Sequence, residues 1–315
     1  MDHLLLLDHG IVQIDTGFVR PRFDAAYLIV SDDGRGAFVD TGPNSAVPRL
    51  LDAIDLAGIR RDSVDYLIVT HVHLDHAGGA GALLQELPNA KLVVHPRGAR
   101  HLVDPSKLMA GVRAVYGDEV AARDYGELIP IDASRVIETH DGMALSIGNR
   151  TVEFLDTPGH ARHHHAIWDP SSSGVFTGDT FGIAYPDLPI QGGVFAFPTT
   201  SPVQFEPDAL RRSIRRILDY RPDRVYLTHF GMTRDVERHA EMVLNLLDSM
   251  MARVEGVKGD SDRHARLVDA FTVLFLSEYQ RLGGTASRES ARAQLAGDIE
   301  LNAQGVEVYL DRQAS

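Results

Sequence analysis

The chain contains no cysteine, so it can hold no disulfide, no thiol nucleophile and no thiolate metal site. Positive charge is scarce: Lys+Arg 31 against Asp+Glu 44 leave a formal charge of −13. That balance argues against a dedicated nucleic-acid binder, because phosphate neutralisation needs a basic surface. No apolar run approaches the ~20 residues that a helix needs to cross a bilayer. Leu4 to Leu7 is a short apolar patch beside Asp2 and Asp8, without the basic flank or length of a signal peptide. These absences point to the cytoplasm and to a small-molecule partner, with no nucleic acid or membrane involved. A hydrophobic fraction of 44% with 24% charged residues is ordinary globular composition. The 315 residues allow one large domain, or one domain with an appendage.

Short β-rich runs come first: Ile11, Ile14, Tyr27 to Val30, Phe38 and Val39. Asp32-Asp33-Gly34 predicts a hairpin turn between two of them. Val47, Leu50, Leu51 and Ile54 have helical spacing. Further strands are expected at Tyr66 to Val69, Leu92 to Val94, Val152 to Leu155, Val175-Phe176 and Arg224 to Leu227. Region 96–127 reads as helical, 183–205 as a long loop, and Leu210, Ile214, Ile217 and Leu218 as one helix face. The alternation predicts an α/β or α+β sandwich of two sheets with helices outside. Beyond residue 233 the pattern turns helical, through Val236, Ala240, Val243, Leu244 and Leu247, then Leu267, Ala270, Phe271, Leu274 and Phe275. Gly256, Gly259, Gly283 and Gly284 separate these helices. The expected organisation is therefore a domain over 1–232 with a helical extension over 233–315.

The chain has 15 histidines, and they are unevenly placed. Thr70-His71-Val72-His73-Leu74-Asp75-His76-Ala77-Gly78-Gly79 sets three imidazoles and a carboxylate on a turn directly after an apolar strand. Neutral imidazole suits zinc, iron and nickel, and a carboxylate favours a second ion. One metal rarely uses four side chains packed so closely. His71 and His73, at alternate positions of an extended segment, can share one ion, and Asp75 and His76, on the turn, can serve another. Gly78 and Gly79 leave room for a helix to start beside them. A solvated surface turn is the plain alternative, and a single histidine would fit it, but this arrangement does not.

This segment resembles the HxHxDH signature of the metallo-β-lactamase-fold hydrolases, a superfamily of αββα sandwiches. Gly159-His160, Asp179 in Gly178-Asp179-Thr180, and His229 match the family's later motifs in order. The resemblance covers roughly 11–231, and its phrasing is most similar to the glyoxalase II-like and quorum-signal effector branches. It implies that His71, His73 and His160 hold one metal and that Asp75, His76 and His229 hold the other. Asp179 and a hydroxide would bridge the two. The cofactors implied are two divalent ions, zinc foremost, with iron or manganese as alternatives. His164 and Asp40 resemble residues that lie behind the family's ligands and orient them. The implied activity is hydrolysis of a small ester, thioester, lactone or phosphodiester by the metal-bridging hydroxide, with Asp75 returning a proton.

Two other classes compete. Persulfide dioxygenases share HxHxDH with a single iron, and a metal-retaining effector would bind a small molecule without turning it over. Diiron oxygen reductases of this fold carry Glu where this chain has His73. Arg211, Arg212, Arg215 and Arg216 could form a basic glutathione pocket, although on an Ile/Leu-faced helix they read as its solvated side. Tyr185, Phe195 and Phe197 could line a pocket or simply pack. Ser171-Ser172-Ser173 lacks a nucleophile-elbow pattern. The stripe Leu267, Phe271, Leu274 and Phe275 must be buried, at roughly 1.5–3 kcal/mol per side chain. It is expected to cover the site and to contribute to a homodimer.

Overall fold

A computed structural model describes residues 2–200, 204–254, 256–257 and 262–314. Gly259 and residues 201–203 of the expected loop lie outside them. The chain forms two compact units. The first comprises Met1–Asp156, His163–Gly178 and Pro222–Arg234; the second comprises Thr157–Arg162, Asp179–Arg221 and Asp235–Ser315. The division is interleaved, whereas the sequence suggests one boundary near residue 232.

The first unit holds a seven-stranded sheet in chain order: β1 (Leu4–Leu7), β2 (Ile11–Asp15), β3 (Ala25–Val30), β4 (Gly36–Val39), β5 (Val64–Ile68), β6 (Lys91–Val94) and β7 (Val136–Glu138). Strands β1 to β4 pair antiparallel, and β4 to β7 pair parallel. Its helices are α1 (Val47–Ala57), α2 (Leu74–Ala77), α3 (Ala80–Glu86), α4 (Pro96–Val103), α5 (Ser106–Tyr116) and α6 (Asp118–Asp124). A six-stranded sheet follows, built from β8 (Ala144–Ile147), β9 (Arg150–Asp156), β10 (His165–Asp169) and β11 (Gly174–Gly178). A two-stranded pair, β12 (Pro189–Ile190) and β13 (Gly193–Val194), belongs to the second unit. The six-stranded sheet is completed by β14 (Arg224–Leu227), parallel to β11, and β15 (Gly231–Thr233).

Successive side chains on a strand face opposite ways, and the strands obey that rule pair by pair. Leu28, Phe38, Leu67 and Leu92 pack with Leu50 and Ile54 of α1 and Leu83 and Leu84 of α3. Their neighbours Ile29, Val39, Ile68 and Val93 pack with Phe154, Ile167, Phe176 and Tyr226 of the other sheet. A sheet covered on both faces needs continuous apolar runs, which explains the unalternating patterns at Tyr27 to Val30 and Tyr66 to Val69. The Asp32-Asp33-Gly34 turn closes on Ser31, whose backbone exchanges hydrogen bonds with Arg35 and Gly34. The expected helical region 96–127 is α4 to α6, and Met109, Ala121 and Leu128 close around Leu74 beside the histidine turn.

The second unit contains α7 (Pro207–Asp219), α8 (Val236–Val254), α9 (Arg263–Arg281) and α10 (Arg288–Ala314). Leu267, Phe271, Leu274 and Phe275 are buried as their stripe requires. Tyr185, Phe195 and Phe197 are fully buried, and their rings pack on one another and on Phe275 and Tyr279 of α9. They serve as that unit's core. Arg211 pairs with Asp208 and Asp248, as expected of a solvated helix face. Ser172 donates its hydroxyl to the buried Asp169 carboxylate, a structural use. Among the described residues, no helix is long and apolar enough to cross a membrane.

Candidate metal centre

In the first unit the histidine turn is clamped from below. His73 caps α2 with extended backbone, and its carbonyl accepts from the His76 and Ala77 amides. The His76 carbonyl accepts from Thr41 N–H, and Gly79 N–H donates to Gly42 O at 2.8 Å. A Cβ on Gly78 would lie 2.4 Å from Leu74 O, so only glycine fits against that carbonyl, and Pro43 Cα stands 3.3 Å from the same position.

Asp40 is buried and left-handed, with φ 58°. Its Oδ1 accepts from Thr70 N–H at 2.7 Å, and its Oδ2 accepts from His76 Nδ1 at 2.8 Å and Thr228 Oγ1 at 3.0 Å. The Thr70 hydroxyl donates to the same carboxylate. His229, after β14, donates Nδ1–H to Phe23 O at 2.9 Å. With both Nδ1 atoms engaged, the Nε2 lone pairs of His76 and His229 are directed outward. They lie 3.8 and 3.3 Å from Asp75 Oδ2. Asp75, His76 and His229 each offer a donor atom within 4.8 Å of the others. His71 Nε2 and His73 Nδ1 stand 2.8 Å apart, and His71 Nδ1 meets the Thr70 hydroxyl at 3.2 Å. This donor chemistry fits a divalent cation: neutral imidazoles and a carboxylate converge, with the far ring nitrogens tied down.

His164 is fully buried, with its ring centroid 5.1 Å from that of His71. It packs behind a ligand candidate, as does His163 against His73 at 5.5 Å.

The second unit carries the other two predicted residues. His160 donates Nδ1–H to Thr199 O at 3.3 Å, and its Nε2 stands 3.4 Å from Asp179 Oδ2. A Cβ on Gly159, at φ 136°, would lie 2.3 Å from the Leu210 backbone, so the Gly-His turn presses directly on α7. Thr180 Oγ1 donates to Thr157 O at 3.1 Å and Gly182 N–H to Asp179 O at 3.0 Å, fixing the aspartate turn.

Several contributors escape sequence reading. Asp24 is fully buried, its Oδ2 accepting from Thr16 while Oδ1 has no hydrogen-bond partner. Burial pushes its carboxyl up to about 7, against the opposing pull of His229 and His76. Only its position beside Phe23, whose carbonyl holds His229, marks it, and nothing in the sequence signals that. His239, on α8, belongs to none of the motifs, yet its Nε2–H donates to Phe181 O at 2.9 Å, two residues past Asp179. Burial pushes its ring down to about 4, so it stays neutral.

Residues 19–229 match the profile of the metallo-beta-lactamase superfamily. The chain belongs to that superfamily. Its α/β sandwich is the fold of this superfamily's solved members. Among curated superfamily proteins, it is 30% identical over 190 residues to the metallo-beta-lactamase fold-containing protein ST1585 of Sulfurisphaera tokodaii, covering 58% of this chain and 68% of that one. The ST1585 crystal structure aligns at TM-score 0.64 with 25% identity, over 95% of this chain and 99% of that chain. A hydroxyacylglutathione hydrolase from Brucella anthropi is 26% identical over 51% of this chain and 52% of its own length. The chain thus spans about half the length of that hydrolase.

Proposed function

We propose that this superfamily member is a hydrolase that uses two divalent metal ions on a small ester, thioester, lactone or phosphodiester. The observation that carries this is the convergence of Asp75, His76 and His229, with both Nδ1 atoms hydrogen-bonded and both Nε2 atoms facing Asp75 Oδ2. We assign His71, His73 and His160 to one ion, Asp75, His76 and His229 to the other, and Asp179 to both. When bound, the ions supply an acidified water near neutral pH and polarise the substrate oxygen. Asp40 and the Phe23 carbonyl hold His76 and His229 in the tautomer that can ligate. Asp75 is the group placed to take up and return a proton. Similarity to hydroxyacylglutathione hydrolases supports a thioester first within this class. A cytoplasmic location and a homodimer belong to the same proposal.

The test joins metal analysis to a substrate panel. Purified protein should carry two ions per chain, and Asp179→Ala should lose at least one. Thioester, lactone or phosphodiester cleavage should proceed without oxygen. One ion per chain with oxygen consumed stoichiometrically on a persulfide would replace the hydrolase with a dioxygenase. Inactivity across the panel with tight small-molecule binding would replace it with an effector.

A further inference from the structure

Helix α10 carries polar residues on its buried side, where an amphipathic helix would carry leucine or valine. Asn302 is 1% exposed, and its Nδ2 donates to Pro198 O at 3.0 Å. The next carbonyl along, Thr199 O, is the acceptor of His160 Nδ1–H. Thr200 Oγ1 then returns to α10, meeting the carbonyls of Leu301 and Asn302 at 3.4 and 3.3 Å. Three consecutive residues are thus tied alternately to α10, to His160 and to α10 again. Helix α8 makes an equivalent tie on the aspartate turn: His239 stacks on the Phe181 ring and donates to the Phe181 carbonyl.

Burying an amide or an imidazole costs free energy unless it is hydrogen-bonded, and an apolar residue would pack at either position without that constraint. Asn302 spends a donor on the carbonyl preceding the one that holds His160, and His239 spends its donor on a carbonyl two residues past Asp179. We propose that Asn302 and His239 are positioning residues, through which the C-terminal helices set the orientation of His160 and Asp179. Main-chain carbonyls near 198–200 have no strand ladder to hold them, so the helix takes that part. This rests on His160 and Asp179 being metal ligands, and it gives the extension a role distinct from covering a pocket.

The experiment measures zinc affinity by chelator competition alongside the melting temperature of metal-free protein. Its variants are Asn302→Ala, Thr200→Val, His239→Phe and His239→Gln, with His160→Ala and Asp179→Ala as references. The first three should each lose about tenfold in affinity for at least one ion. His239→Gln keeps a side-chain N–H and should recover most of that loss. Cobalt-loaded Asn302→Ala should show altered ligand-field absorption. If metal-free stability falls while affinity stays within twofold of the parent and the cobalt spectrum is unchanged, the residues are merely structural and the proposal is wrong. Should Asn302→Ala not fold, Thr200→Val and the His239 pair decide alone. If His160→Ala and Asp179→Ala leave affinity unchanged, the ligand assignment itself has failed, a separate outcome.

Discussion

In the first unit, the Nδ1 of His76 is held by a buried carboxylate that also gathers Thr70 and Thr228; in the second, the Nδ1 of His160 is held by a main-chain carbonyl, that of Thr199. The carboxylate concentrates its bonds in one side chain on a loop next to the ligand turn. The carbonyl has no side chain of its own to mutate, and its place depends on what holds segment 198–200. An anchor made of one residue is strong and local. An anchor made of backbone inherits its stiffness from distant packing.

Removing the concentrated anchor should have the largest effect. Asp40→Ala leaves the Thr70 amide, two hydroxyls and an imidazole N–H buried without their acceptor. At 1–3 kcal/mol for each group that finds no substitute, a loss of about 4 kcal/mol is expected in urea unfolding of metal-free protein. A loss under about 1 kcal/mol would mean that Asp40 is not the brace and that the contrast between the units is unfounded.

Acid offers a second comparison, since each unit holds a fully buried histidine whose ring is pushed well below its ordinary value. Burial pushes His165 down to about 3 and His239 to about 4, from the ordinary 6.5. Both folded values lie below the unfolded one, so each contribution is complete above pH 6.5 and is lost as pH falls, because the unfolded chain protonates first. By pH 5 each histidine should cost about 2 kcal/mol relative to pH 7. Unfolding midpoints of His165→Gln and His239→Gln between these pH values should each decline less steeply than the parent. Equal flattening would show the units titrating alike; no flattening in either would contradict the burial argument.

The smallest effect belongs to the core of the second unit. Tyr185 donates its hydroxyl to Asp298 of α10 at 3.2 Å. Tyr185→Phe should cost about 1 kcal/mol in thermal unfolding. It should leave zinc affinity unchanged, in contrast to Asn302→Ala on the same helix. A matching loss of affinity would show that the helix acts as a whole and not through Asn302.

Much of the first unit was legible because its signals are local. Leu67-Ile68 or Phe38-Val39 announces a strand buried on both faces without knowledge of its partners, and the turn after β5 displays its histidines in one unbroken phrase. Strands β7, β8, β10 and β15 gave no such notice, being three to five residues long and interrupted by polar residues such as His165, Asp169 and Ser146. Helix α10 lies within the extension expected to be helical, but no apolar face was legible in it, for a related reason. Asp298, Asn302 and Gly305 sit on its buried face and break the apolar period that would have marked it.

By itself the sequence determined the chemistry available: histidines and aspartates in an ordered set of strand-end motifs, no thiol, and a family whose members share that order. Periodicity of side chains along a strand and adjacency along the chain are enough for that, since both act over a few residues. The tertiary structure alone decided which nitrogen of each imidazole is engaged, by bringing Asp40 to His76, Phe23 to His229 and Thr199 to His160 across separations of 36, 206 and 39 residues. It also turned His239 from a helix-face residue into a support for the aspartate turn. A hydrogen bond is satisfied over about 3 Å in space whatever the distance along the chain, so such partners exist only once the core has packed.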